Sequence, residues 1–197
     1  LTQGSIWTDQ HPGTSKHLES VASSGSQFVV VGDNGTILTS PDGRTWTAQN
    51  SGTTGELWDT AWLGSQFVVV GANGTILTSP DGRAWTAQSS GTSHSLNGVA
   101  RSGLQSVAVG DNGIILTSPD GFTWTAQNAG TSQSLDRVVW SDSQFVAVGD
   151  NGTILTSPDG FTWTAQNAGT SHSLHRIVWS GSQLVTVGDN GTILTSP

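Results

Sequence analysis

The hydrophobic positions recur every 39 residues, and five copies of the pattern follow one another without insertion or deletion. In the fourth copy, apolar and β-branched runs at 138–140, 145–149 and 153–157 precede an aromatic run at 161–165. None of these runs has the 3.6-residue period of a helix, and their length and composition are typical of strands. The pattern therefore predicts four short β-strands in each copy.

Turn sequences separate the predicted strands. Asn151-Gly152 lies between the second and third runs and predicts a hairpin whose two central residues both have positive φ. Pro158-Asp159-Gly160 predicts a second turn before the fourth run, in which the two aromatic rings would share a face. A polar loop then leads into the next copy.

A four-stranded unit of this length, repeated in tandem, is typical of a β-propeller blade. A linear β-solenoid is the alternative, but it would need capping segments. The first copy begins with a fourth-strand sequence at residues 5–9, and the last copy stops after its third strand. We therefore predict an all-β, five-bladed β-propeller with four antiparallel strands per blade. It would form one domain over residues 1–197, with adjacent termini, closed by the N-terminal strand completing the C-terminal blade.

Composition excludes several functions. Apolar residues make up 34% of the chain and charged residues 10%, the net charge is −8, and Cys, Met and Tyr are absent. Without Cys there is no disulfide or thiolate zinc site. One Lys and five Arg argue against nucleic acid or an anionic membrane as partner. We expect a monomer without cofactor, and the polar, Lys-poor composition favours an extracellular or periplasmic bacterial setting.

The turn before the fourth strand carries a recognisable motif. It reads Ser-Pro-Asp-Gly-Arg-Thr-Trp at 40–46 and recurs at 79–85, 118–124 and 157–163, whereas the first copy lacks the Asp. The motif resembles the Asp-box of bacterial neuraminidase repeats, shortened by one residue. That resemblance implies a propeller in which the carboxylate binds turn amides and the aromatic ring packs beneath. The acids concerned are Asp42, Asp81, Asp120 and Asp159. At the level of fold, the chain is also similar to photosystem assembly factors built from such repeats.

An enzyme is the least favoured interpretation. The resemblance to sialidases implies a tyrosine nucleophile and three arginines, but the chain has no Tyr. Arg44 and Arg83 belong to the opposite end of the blade from Arg137 and Arg176. Most acids recur as part of the repeat, which is typical of a scaffold and not of a glycosidase carboxylate pair. His172 and His175 are three residues apart without a third ligand, so we expect neither catalysis nor a metal site.

The copies differ most at the two positions after a repeated Leu, at the start of the first strand. In a propeller these positions ring the mouth of the central channel. The candidate ligand-binding residues are Glu19, Trp58, Asp59, Asp136, Arg137, His175 and Arg176. Trp58 would supply an apolar platform and the charged residues would anchor a ligand. The alternative is that surface loops vary because nothing constrains them.

A second Trp series occupies Trp62, Trp140 and Trp179. These rings either pack between blades or stack against sugars, as in propeller lectins. We predict a non-catalytic binding module whose partner is a glycan or another protein. The alternative is a scaffold, including an engineered or recently amplified repeat protein, that has no ligand of its own.

Overall fold

A computed structural model describes residues 7–196, which form nineteen strands in five sheets. Blade 1 contains β1 (Leu18–Ser23), β2 (Phe28–Gly32), β3 (Thr36–Ser40) and β4 (Thr47–Gln49). Blade 2 contains β5 (Leu57–Trp62), β6 (Phe67–Gly71), β7 (Ile76–Ser79) and β8 (Thr86–Gln88). Blade 3 contains β9 (Leu96–Arg101), β10 (Ser106–Gly110), β11 (Ile115–Ser118) and β12 (Thr125–Gln127). Blade 4 contains β13 (Leu135–Trp140), β14 (Phe145–Gly149), β15 (Thr153–Ser157) and β16 (Thr164–Gln166). Blade 5 contains β17 (Leu174–Trp179), β18 (Leu184–Gly188) and β19 (Ile193–Ser196).

Each blade is an antiparallel meander in which consecutive strands pair. The second and third strands are joined by a short 3₁₀ turn, such as Asp150–Gly152 in blade 4. There Asn151 has φ 53° and Gly152 has φ 67°, and the other four turns have closely similar values. The predicted pair of positive φ angles at Asn-Gly is therefore confirmed, because Asn and Gly tolerate the left-handed region.

The glycine that ends the second strand is required by a close approach of two backbone segments. A Cβ built on Gly110 would lie 2.0 Å from the carbonyl oxygen of Ser95, in the loop entering β9. The same oxygen accepts a hydrogen bond from the N–H of Asp111 at 3.0 Å. The four counterparts of Gly110 face the same obstruction at 2.0–2.1 Å. This contact fixes the loop where it enters the first strand.

The repeated Asp closes the turn before the fourth strand. Oδ1 of Asp120 accepts hydrogen bonds from the N–H groups of Phe122 and Thr123, both at 2.8 Å, and from Ser118 Oγ at 2.9 Å. These bonds lower the pKa of Asp120, and the backbone hydrogen bonds of Asp42, Asp81 and Asp159 lower theirs. The structure therefore shows the structural role that the sequence implied for the four acids.

The turn is longer than the sequence suggested. Asp159 binds the N–H groups of Phe161 and Thr162, so β16 begins only at Thr164 and the predicted strand over 161–165 is displaced. Phe161 is 52% exposed, whereas Trp163 packs into the core. The two rings therefore do not share a face.

The core lies between blades. A valine–isoleucine face of one blade, such as Val107, Val109 and Ile115 in blade 3, packs against the next blade. Trp85, Trp124 and Trp163, each next to a fourth strand, complete the interfaces between blades 1 and 2, 2 and 3, and 3 and 4. Trp62 and Trp140 also pack at these interfaces, each 4.7 Å from a Phe ring, which agrees with a packing role.

The predicted closure is wrong. Among residues 7–196, blade 5 has three strands instead of four, residues 8–10 at the repeat position of β16 form no strand, and Trp7 is 95% exposed, whereas Trp163 packs against the neighbouring blade. Within residues 7–196, β1 packs against β5 and β17 against β13, but β1 and β17 do not form a packed pair. The sheets are thus arranged as in a propeller without the predicted strand exchange. Residues 1–6 and 197, and with them the predicted proximity of the termini, lie outside the described residues, and the single domain stays a prediction.

Candidate functional site

A β-bulge interrupts the first strand of every blade. In blade 4, Leu135 opposes Gly149 and Arg137 opposes Val148, so that Asp136 has no partner on the neighbouring strand. The same register shift occurs in the other four blades. Bulges redirect side chains and are common next to functional sites. The sequence positions that differ between copies therefore lie at or beside a bulge.

The five bulges converge on one region, which we call the mouth site and define by the seven predicted residues. A cavity of about 300 Å³ is lined by Glu19, Trp58, Asn97, Asp136, Arg137 and Arg176. A second cavity of about 500 Å³ also contacts Glu19, Arg137 and Arg176 and adds Asp59, with Leu18 and Val21 at its rim. The seven residues come from blades 1, 2, 4 and 5, Asn97 adds blade 3 to the cavity lining, and His175 contacts Asp136 directly.

Arg137 and Asp59 are partly buried and lie close together in the mouth site. Nη1 of Arg137 lies 4.0 Å from Oδ2 of Asp59, and both side chains are 14% exposed. The guanidinium also donates to the carbonyl oxygen of Asn97. Asp59 accepts hydrogen bonds from Ser20 Oγ at 2.7 Å and from the N–H of Val99 at 3.0 Å. Burial lowers the pKa of Arg137, although the neighbouring Asp59 opposes this effect. This pair and its partners connect blades 1 to 4, and both residues also line the 500 Å³ cavity.

Blade 3 leaves room for Arg137 because Gly98 has no side chain and the neighbouring Asn97 carries no charge. A Cβ on Gly98 would lie 3.1 Å from Cα of Arg137, so a larger residue would push the two first strands apart. Asn97 Nδ2 donates to Asp111 Oδ1 at 2.9 Å and to the carbonyl oxygen of Leu135 at 3.1 Å. The sequence-based site does not include Asn97 or Ser20. Both occupy the same variable positions as the predicted residues, and that signal could have identified them.

His175 links two carboxylates. Its Nδ1 lies 2.8 Å from Asp136 Oδ2, and its Nε2 lies 2.8 Å from Asp189 Oδ1. The hydrogen bonds to Asp136 and Asp189 raise the pKa of His175, because an imidazolium can donate to both acids at once. Burial raises the pKa of Asp136, an effect that His175 partly offsets. His172 binds Thr192 Oγ1 instead, so the two histidines do not act together.

Among the described residues, the side chains of Glu19, Trp58 and Arg176 make few hydrogen bonds. Within residues 7–196, the side chains of Glu19 and Trp58 make no hydrogen bond, and both line the 300 Å³ cavity. Arg176 is exposed and donates from Nη1 to the carbonyl oxygen of His175 at 2.9 Å. Asp136 and Arg137 also line this cavity, which therefore contains one aromatic ring, two carboxylates and two guanidinium groups.

Two further findings concern the described residues alone. Residues 7–196 contain no helix long and apolar enough to cross a membrane. In the same range, no group of three His, Cys, Asp or Glu side chains is arranged to hold a metal ion.

Comparison with known proteins identifies a fold but no family. No protein-family model matches the sequence, and no curated protein is similar to it, so the Asp-box family is not confirmed. A solved structure described as YCF48 bound to D1 peptide is 20% identical, with a TM-score of 0.70. The match covers 92% of this chain and 63% of that one, so this chain spans less than two thirds of its length. YCF48 from Cyanidioschyzon merolae is 18% identical, with a TM-score of 0.54 and coverage of 91% and 82%. The chain therefore has a repeat-built β-propeller fold similar to that of these structures.

Proposed function

We propose that this chain is a non-catalytic recognition module that binds a peptide segment of a partner protein at the mouth site. The observation that carries the proposal is a difference in bonding among the variable residues. Asp59 and Arg137 are hydrogen-bonded to groups of neighbouring strands, whereas among residues 7–196 the side chains of Glu19 and Trp58 make no hydrogen bond and line the 300 Å³ cavity together with the exposed Arg176. Ligand pockets typically combine an apolar surface with a few polar groups that fix orientation.

A peptide fits this arrangement better than a glycan. Leu18 and Val21 are exposed beside the second cavity, so apolar side chains as well as charges would be recognised there. Arg176 suits a carboxylate, and Glu19 suits a Lys, Arg or N-terminal ammonium group. A structurally similar protein is described as bound to a peptide, which agrees with the proposal although the identity is only 20%. Among the described residues, Trp58 in the 300 Å³ cavity is the one aromatic side chain in the lining of either cavity, so a carbohydrate site would have a single stacking platform.

A displayed library of random peptides, selected against the purified chain, tests the proposal. Selected peptides should bind Trp58→Ala at least tenfold more weakly than the parent chain, because the aromatic platform is lost. Arg83→Ala is the matched control, since Arg83 is exposed on the turn at the opposite end of the strands. Its affinity should be unchanged.

A glycan array provides the competing outcome. Binding of a carbohydrate that depends on Trp58 would replace the peptide with a glycan as ligand. Binding in neither format would indicate a scaffold with no ligand of its own. The absence of enzymatic activity stays part of the proposal, and turnover of a chromogenic glycoside that is abolished by Asp136→Asn would contradict it.

A further inference from the structure

Hydrogen bonds beside the bulges join the first strands of neighbouring blades. The bonds between blades 1 and 2, 2 and 3, and 3 and 4 use a hydroxyl, a backbone N–H and a guanidinium as donors, and none of these donors ionises near neutral pH. They run from Ser20 to Asp59, from Val99 to Asp59 and from Arg137 to Asn97. The bond between blades 4 and 5 joins Asp136 to His175, and an imidazole does ionise near neutral pH. The link to blade 5 is therefore the one of these four that responds to pH in that range.

The two ring nitrogens of His175 contact two carboxylates. Nδ1 lies 2.8 Å from Asp136 Oδ2 in blade 4, and Nε2 lies 2.8 Å from Asp189 Oδ1 in the turn after β18. An imidazolium donates from both nitrogens, whereas a neutral imidazole has one N–H and one lone pair. In the neutral form, one nitrogen would place its lone pair against a carboxylate oxygen. One of the two contacts is therefore lost on deprotonation.

Burial decides which contact is lost. The side chain of Asp136 is 25% exposed and that of Asp189 is 56% exposed, so Asp189 is better hydrated once its donor leaves. Neutral His175 therefore keeps its proton on Nδ1, facing Asp136, and releases Asp189. Blade 3 contains a version of the second bond that does not titrate. Asn97, at the repeat position of His175, donates to Asp111, the counterpart of Asp189, at 2.9 Å.

Ionisable groups lie near His175 on several elements that pack against β17. They are Asp136 and Arg137 on β13, Asp150 in the turn after β14, Asp189 in the turn after β18, and His172 and Arg176 in blade 5 itself. The hydrogen bonds to the two acids outweigh burial and raise the pKa of His175. The doubly bonded form is therefore present below the folded pKa, which lies above the ordinary value of about 6.5, and disappears as pH rises through it. Besides His175, the mouth site has three carboxylates and two guanidinium groups, so deprotonation changes its net charge from zero to −1.

We propose that His175 makes the mouth site respond to pH: the charged ring joins Asp136 to Asp189, and the neutral ring releases Asp189 and leaves the site more negative. This inference rests on the function proposed for the mouth site and adds its regulation. A peptide segment that carries Lys or Arg therefore binds more strongly as pH rises, because Asp189 becomes available to accept from its cationic group. Binding of such a segment in turn favours the neutral ring, since coupling between two binding equilibria is reciprocal.

NMR of the full chain with ¹⁵N-labelled histidine tests the link without any ligand. Two-bond ¹H–¹⁵N spectra from about pH 5.5 to about pH 8.5 should show both nitrogens of His175 protonated at the lower end and Nδ1 alone protonated at the upper end. The Nδ1–H tautomer is diagnostic because free neutral histidine carries its proton mainly on Nε2. A proton on Nε2 at the upper end, or titration like that of free histidine, would overturn the proposal.

A fluorescein-labelled hexalysine peptide is the probe for the change in charge. Across the same pH range, its affinity for the parent chain should rise about two- to fivefold more than its affinity for His175→Asn, in which an amide replaces the imidazole as in blade 3. His172→Asn is the matched control and should behave like the parent chain, because His172 binds Thr192 and not a carboxylate. Circular dichroism checks that both variants fold. Equal pH dependence in the parent chain and His175→Asn, or no measurable binding of hexalysine, would overturn the proposal.

The two proposals for the mouth site fail separately. If no selected peptide depends on Trp58, the proposed function fails even where His175 titrates as described. If the tautomer of His175 or the pH dependence of hexalysine binding differs from that expected, the regulation fails even where Trp58-dependent peptides bind.

Discussion

Replacing Trp124 with Ala should greatly reduce stability, because its ring belongs to two blades at once. The side chain is 9% exposed, lies among Val68, Val70 and Leu116, and donates from Nε1 to the carbonyl oxygen of Gly121 at 3.1 Å. Truncation of a buried Trp typically lowers the free energy of unfolding by about 3–5 kcal/mol. With a urea m-value of about 2–3 kcal/mol/M, the midpoint of unfolding should fall by about 1–2.5 M.

Trp46 provides a matched control within the same chain. It occupies the same repeat position in blade 1, but it is not part of the three inter-blade clusters. Trp46→Ala should therefore lower the free energy of unfolding by about 1 kcal/mol, the usual effect of a single substitution. Urea titrations followed by far-UV circular dichroism compare the two variants. Equal losses would show that packing against the neighbouring blade is not what makes this Trp important.

Three other predictions follow from single residues. Gly110→Ala should be far more destabilising than Gly103→Ala in thermal melts, because a Cβ meets a carbonyl oxygen at the first position and open space at the second; comparable melting points would contradict this. The pKa of Asp120 is lowered in the folded state, so its contribution is full above the unfolded value of about 3.9 and disappears as pH falls through the folded value. Asp120→Asn should therefore lose less stability between pH 5 and pH 3 than the parent chain, whereas an unchanged acid slope would be inconsistent with this role. The pKa of His175 is raised, so its contribution is present below about 6.5 and disappears as pH rises through the folded value; Asp136→Asn should lower that pKa in an NMR titration, and no change would mean that the hydrogen bond is not its cause.

Much of the fold is visible in the sequence because the repeat makes each local signal appear five times. Asn-Gly fixes the turn between the second and third strands, and its φ angles are as predicted. The side chain of Asp159, however, captures two backbone amides and delays β16, an interaction that hydrophobic periodicity does not reveal. The closure predicted at residues 5–9 was inferred from counting strands. Counting the predicted strands shows that the last copy lacks a fourth strand. It gives no information about whether pairing of residues 5–9 with blade 5 lowers the free energy.

The mouth site could be predicted only in part. Positions that have the same structural role in every blade keep the same residue. The positions that differ between copies therefore identify the residues that meet at the mouth site. They do not distinguish Arg137, which is used internally, from Arg176, which is exposed, since both follow a bulged residue in equivalent strands. That distinction depends on neighbours 38–40 residues apart along the chain, such as Asn97.

The bulge in the first strand has an evolutionary consequence. The residue that it carries is released from the ladder, so its side chain can change without disturbing the pairing on either flank. The Gly that ends the second strand fixes the backbone beside the bulge, whichever residue occupies the bulged position. The residues that hold the strands together and the residues that vary at the bulge thus occupy different positions of the repeat. Duplication of one unit supplies several independent positions that can diversify. A library randomised at these positions alone should yield mostly folded proteins with different binding preferences.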